Sequence, residues 1–126
     1  MKKLKIKKPT RKSLIRKLDN KVSEIVRKRD TNCVICFSTK QITAGHLFSR
    51  RFYSTRWDLD NVFTQCWPCN YTHGRDQSKY FLWYINKFGL EKFKELEKKA
   101  HQVSHFKTAD LVEFLEQMKG INNLTL

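Results

Sequence analysis

Cys33-Val34-Ile35-Cys36 and, after 29 intervening residues, Cys66-Trp67-Pro68-Cys69-Asn70 are the segments on which the reading of this chain turns. Each C-x-x-C pair forms a knuckle whose sulfurs converge on one point, and four thiolates so grouped suit tetrahedral zinc. With Cys33, Cys36, Cys66 and Cys69 all bound to the ion, no coordination position is left for a reactive water. The zinc is therefore expected to be structural, and any chemistry needs a second site. Two disulfides are the alternative this spacing leaves open. A reducing setting, where paired cysteines more often hold metal, argues against them.

Working outward, 126 residues make one domain, small enough to gain from a metal staple. No apolar run approaches membrane-spanning length, and the basic N-terminus lacks the apolar stretch and cleavage site of a secretory signal. A cytoplasmic location without membrane contact is the expectation. The net charge of +14 is concentrated at one end: residues 1–29 hold thirteen Lys and Arg against Asp19 and Glu24, whereas residues 90–126 are balanced. Such an excess favours a polyanionic partner through phosphate contacts and counterion release. A solvated tail that only aids solubility is the plainer explanation.

Residues 1–9 read as a flexible basic arm closed by Pro9, and residues 10–126 as a single domain. Within it, residues 10–30 form a basic helix. Leu14, Leu18, Val22, Ile25 and Val26 make one narrow apolar stripe, and Thr10 or Ser13 caps the start. Its other face carries Arg11, Lys12, Arg16, Lys17, Lys21, Arg27 and Lys28, a surface suited to tracking the phosphates of a nucleic acid. Gln41–His46 suggests a short strand, with Gly45 permitting a close backbone approach. Residues 47–60 have no clean period and read as a loop, whose Arg50, Arg51, Arg56, Phe52, Tyr53 and Trp57 suit phosphate and base contacts. Asn61–Gln65 alternates as a second strand. A short helix is expected near Asn70, interrupted by Gly74. Asp76 then caps a helix with Tyr80, Tyr84 and Phe88 on one line, ended by Gly89. Leu90–Ala100 is a further helix, and a last one runs from Thr108 to Gly120. Residues 76–120 thus form a helical cap and the final six residues fray. Trp67 and Trp83 read as packing groups, and His101 and His105 as surface residues of a linker.

The order of knuckle, strand, His46, loop, Asn61-led strand, knuckle and Asn70 resembles the HNH nucleases of the ββα-metal fold, in the version pinned by four cysteines. More narrowly, Cys33-x-x-Cys36, Ala44-Gly45-His46, Asn61-Val62, Gln65-Cys66-x-x-Cys69-Asn70 and the Tyr80-to-Gly89 helix resemble the NinG (Rap) family of lambdoid phage recombination endonucleases. The resemblance covers roughly residues 30–100. It implies an α+β fold, with residues 31–75 as a zinc-pinned ββα-metal core between the basic N-terminal helix and the C-terminal helices.

It also implies roles. His46 is the general base or a metal ligand, Asn61 orients His46 or its strand, and Asn70 offers its carbonyl oxygen to a catalytic Mg²⁺ or Mn²⁺. Arg51 and Arg56, before Arg50, clamp phosphate. Many HNH enzymes carry an Asp or His ligand where this chain has Gly45, and His73 is the candidate to replace it. The implied activity is hydrolysis of DNA phosphodiesters in branched recombination intermediates, Holliday junctions or D-loops, in the host cytoplasm, with a homodimer left open. A non-catalytic, zinc-stapled DNA- or RNA-binding module is the alternative.

Overall fold

A two-stranded antiparallel hairpin lies at the centre of the molecule and is covered on both faces. The computed structural model describes residues 8–124, so the basic arm over 1–9 lies almost wholly outside the described residues. The order is α1 (Arg11–Asp30), β1 (Ile42–His46), α2 (Tyr53–Arg56), β2 (Val62–Cys66), α3 (Trp67–Arg75), α4 (Ser78–Phe88), α5 (Leu90–Ala100) and α6 (Thr108–Leu124). The fold is α+β with one two-stranded sheet. No described helix is long and apolar enough to cross a membrane.

Thr10 rather than Ser13 caps α1: its hydroxyl oxygen accepts the Ser13 amide at 3.1 Å. The apolar stripe from Leu14 to Val26 is buried against the hairpin and α6, in a core completed by Trp57, Val62, Leu111 and Leu115. A second core lies on the opposite face of the sheet, where Phe63 meets Leu47, Phe48, Tyr80, Tyr84, Phe93 and Leu96. Val62 and Phe63 are neighbours in β2 and point to opposite faces, as the two-residue period of a strand requires. All five β2 residues are consequently buried. The C-terminal helices divide between the cores, α4 and α5 on one side and α6 against α1 on the other.

The register pairs Ala44 with Thr64, Gly45 with Phe63 and His46 with Val62. Val62 faces α1, and the Thr64 hydroxyl donates to the Val26 carbonyl of α1 at 3.0 Å. His46, paired with Val62, therefore also stands on the α1 side. The outer edge of β2 is closed by the first knuckle: the Thr64 amide donates to the Asp30 carboxylate, and the Val34 amide to the Thr64 carbonyl.

The expected loop over 47–60 contains the short helix α2. Helix α4 is preceded by Gln77 rather than capped by Asp76, whose carboxylate still accepts the Ser78 amide at 3.0 Å. Two further helix boundaries differ from expectation. The helix near Asn70 begins at Trp67 and runs through Gly74, because Pro68 fits the first turn, where its missing N–H is not needed. The last helix continues through Gly120 to Leu124, since glycine weakens a helix without requiring a stop. Gly89 does end its helix, at φ 96°.

Candidate functional site

The four cysteines meet where the first knuckle touches the β2–α3 junction. Cys66 ends β2 and Cys69 lies in the first turn of α3, while Cys33 and Cys36 approach from the chain that leaves α1. Their sulfurs all lie within 4.8 Å of one another, with Cys36 and Cys66 Sγ 3.5 Å apart. Four sulfurs at about 2.3 Å from a tetrahedral zinc are about 3.8 Å apart, so the cluster needs little adjustment to hold the ion. Burial would raise the Cys33 thiol, but backbone amides of Cys36, Cys66 and Ile35 outweigh it and draw the pKa down to about 7. Burial and the neighbouring sulfurs push Cys66 and Cys69 up instead. Four crowded thiols resist ionising together, and a divalent cation removes that conflict.

Beside this staple lies a polar cleft of about 680 Å³ between α1, β1 and α3. His46 and Asn70 both line it. His46 Nε2 lies 2.8 Å from the Arg56 carbonyl oxygen. A carbonyl only accepts, so Nε2 carries the proton and Nδ1 is left as the basic nitrogen. Burial, assisted by the charge of Arg50, lowers the His46 pKa to about 4 against the pull of that hydrogen bond. The ring is neutral at working pH. Asn70 is oriented by an equally strict argument. The Thr43 hydroxyl donates to the Gln65 carbonyl at 2.9 Å and can only accept from Asn70 Nδ2, 3.2 Å away. The Asn70 Oδ1 therefore remains available to a hard cation.

Asn61 holds the loop rather than His46. Fully buried, its Oδ1 accepts the Phe48 amide at 2.8 Å, and its Nδ2 donates to the carbonyls of Phe48 and Thr55 at 3.0 Å. Among the described residues it does not line the cleft, and its side-chain hydrogen bonds go to the loop backbone that follows β1. His73, expected as a second magnesium ligand, also lines the cleft; its Nε2 donates to the Leu47 carbonyl at 2.8 Å, and its buried Nδ1 has no hydrogen-bond partner among the described residues.

The arginines change order. Arg56, expected to clamp phosphate, has its guanidinium paired to both Asp19 oxygens at 3.0 and 2.7 Å and is largely buried. Arg51 lies over the Phe52 ring outside the cleft. Arg50 lines the cleft, exposed and without a hydrogen bond from its guanidinium among the described residues. Of the other expected DNA-binding residues, Lys12, Arg16 and Lys17 are exposed on α1, while Arg11 donates to the Phe106 carbonyl and lies over Tyr53.

Sequence reasoning missed Asp19, Asn20 and Ser23 in the wall supplied by α1, where they join Arg27 of the basic face. The signal was present: Arg16, Asn20, Ser23 and Arg27 fall on one line opposite the apolar stripe. Asp19 matters most. Its carboxylate accepts from Arg56 and from Trp57 Nε1 at 2.9 Å, and so fixes the turn whose carbonyl holds His46. Burial tends to raise the Asp19 pKa, but these hydrogen bonds overcome it and hold the carboxyl below its usual range. Asp19→Asn should lower stability by about 2 kcal/mol, the scale of a charge-assisted bond lost from a mostly buried site, as urea titration will read.

Gly45 also has its physical reason. A Cβ there would lie 2.0 Å from Gln65 Oε1 and 2.8 Å from its Cδ. Gln65 is buried and cannot swing clear into solvent, so no side chain fits before His46. The Tyr80 hydroxyl donates to the Gly45 carbonyl at 2.7 Å and ties the strand to α4 at that point. Gly45→Ala should cost about 1–3 kcal/mol. In a Gln65→Ala background that cost should shrink, which a double-mutant cycle of urea melts will measure.

Four cysteines that converge on a β-hairpin and short helix, placed to hold a metal ion beside a basic polar cleft, define a small α+β domain. The chain belongs to the NinG family: the family model described as Bacteriophage Lambda NinG protein matches residues 1–124. Comparison with the curated proteins and with the solved structures gave no match.

Proposed function

We propose that this chain is a divalent-metal-dependent DNA endonuclease of the HNH, ββα-metal type, acting on branched intermediates of phage recombination. The observation that carries the reading is the convergence of a neutral His46, its Nε2 proton fixed on the Arg56 carbonyl, with the free Asn70 Oδ1 in one basic cleft. The sequence of β1, β2 and α3 around that cleft supports the ββα assignment. Membership of the NinG family supports a role in phage recombination.

In this reading His46 Nδ1 takes a proton from water as its oxygen attacks phosphorus. The bond to the 3′ oxygen breaks, leaving a 5′-phosphate, and the departing 3′ oxygen takes a proton from solvent to become a hydroxyl. A Mg²⁺ or Mn²⁺ bound at Asn70 would neutralise charge on the phosphate and leaving oxygen. With one neutral amide as its protein ligand, the ion would keep most of its coordination for water and substrate, as Mg²⁺ commonly does. Asp19 is spent on Arg56 and Trp57 and is not counted as a ligand. Arg50, and Arg27 across the cleft, face the phosphate.

A second reading, a zinc-stapled nucleic-acid-binding module without catalysis, is favoured by one observation. Among the described residues, the four cysteines are the only grouping of three or more His, Cys, Asp or Glu placed to hold a metal. Incubating pure protein and Mg²⁺ or Mn²⁺ with supercoiled plasmid, a synthetic four-way junction and structured RNA separates the readings. Cutting of the junction supports the enzyme. Binding without cutting supports the module, and cutting confined to RNA overturns the DNA assignment.

A further inference from the structure

Trp67 reads as a packing group in the sequence, but the structure puts it outside. Trp67 is 57% exposed and Tyr71, one turn on, is 54% exposed. Their ring centroids are 5.2 Å apart with planes 17° from parallel. Every other aromatic pair among the described residues is tilted or edge-on. Arg75, a further turn along, sets its guanidinium 5.9 Å from the Tyr71 centroid and donates to its hydroxyl at 3.4 Å. Residues 67, 71 and 75 thus form a ladder on α3 with a cation at one end and the large Trp67 indole at the other. The strip of α3 beside it carries Asn70 and Gly74, both lining the cleft.

From this arrangement we propose that Trp67 and Tyr71 form a stacking ledge for unpaired nucleobases of a DNA strand whose backbone passes through the neighbouring cleft. The inference rests on the reading of that cleft as a DNA site and adds the part of the substrate recognised beside it. Two parallel, solvent-exposed rings present flat faces, and a nucleobase stacks on such a face whatever its identity. The partner is argued to be nucleic acid because the chain carries a net charge of +14 and Arg27 and Arg50 flank the adjoining cleft. A base inside an intact duplex has both faces covered by its neighbours. The ledge therefore selects bases freed at a branch, a flap or a single-stranded stretch.

The test uses full-length, zinc-loaded protein carrying His46→Ala, so that cutting does not interfere. Trp57 is buried and Trp83 half-buried, so Trp67 is the tryptophan that a ligand reaches. Oligothymidylate should quench its fluorescence saturably, whereas a blunt duplex should not. Trp67→Ala and Tyr71→Ala should each weaken oligothymidylate binding about tenfold or more, with duplex affinity changed less than about threefold. Trp67→Phe should restore most of the loss. Zinc content measured on each variant shows that the fold is retained, and Tyr71→Ala, outside the cysteine cluster, serves if Trp67→Ala misfolds. Zinc-loaded variants that bind both probes as the parent does would overturn the ledge, as would a patch that instead takes up protein and leaves DNA binding untouched. Because the readout is binding, wild type that cuts DNA while these variants bind normally defeats the ledge alone. A working ledge on a protein that never cuts defeats the catalytic reading alone.

Discussion

Cys66→Ser should yield a protein without zinc and without a cooperative unfolding transition. Cys66 is buried at the junction of β2 and α3, 3.5 Å from Cys36. Binding of structural zinc is worth about 10–16 kcal/mol in small domains, as large as or larger than the roughly 5–15 kcal/mol that separates a domain of this size from its unfolded state. Without the ion, three thiols and a hydroxyl crowd a site where burial and neighbouring sulfurs already oppose ionisation. The chain joining α1 to β1 then loses its anchor. Elemental analysis should give one zinc per wild-type chain and none in the variant, whose far-ultraviolet dichroism should show a largely unfolded chain at room temperature. Treating wild type with a strong chelator should reach the same state. A folded, cooperative, zinc-free Cys66→Ser protein would show that the knuckles are not the staple.

His46→Ala should abolish junction cleavage by about 10²–10⁴-fold while leaving DNA binding and the melting temperature close to wild type. The separation is expected because His46 is half-buried at the cleft wall and its ring makes one hydrogen bond, to the Arg56 carbonyl. Asn61→Ala provides the contrast. It removes three buried hydrogen bonds to Phe48 and Thr55 and should lower stability and activity together. The pH profile gives an independent check. With burial holding His46 near 4, the fraction of unprotonated base falls only as pH drops toward that value. The acid limb of wild-type cutting should therefore lie below the ordinary histidine range near 6.5. Retention of most cutting activity in His46→Ala would assign the base elsewhere.

The parts of this site that could be read in the sequence are those set by short-range spacing. Two C-x-x-C pairs specify converging sulfurs by local chain geometry alone, and the cluster is formed. The apolar stripe of α1 is equally local, and its five positions are the buried ones. His46 and Asn70 could be picked out by their order around the knuckles. Which arginine enters the cleft could not. Arg50, Arg51 and Arg56 sit in a stretch without period, and their division of labour is decided by Asp19, 37 residues upstream of Arg56. The same limit hid α1 as a wall of the cleft, since the line of Arg16, Asn20, Ser23 and Arg27 acquires meaning only once α1 lies across β1. Trp67 was misjudged for the converse reason. Tryptophan is buried on average, but the cysteine cluster occupies one side of α3 and the cleft another, leaving Trp67 to solvent.

The hairpin buried on both faces has a further consequence for how errors in assembly are rejected. A slip of one residue in strand pairing turns every side chain of the strand to the opposite face. In a sheet with one wet face, such a slip exposes a single apolar row. Here it would drive Phe63 into the α1 core and Val62 into the aromatic one, and would turn His46 away from α1. It would also displace Cys66 from the other three sulfurs. One mispairing thus fails in two cores and at the four sulfurs at once, so the alignment that completes the cysteine cluster is also the alignment that sets His46 opposite α1.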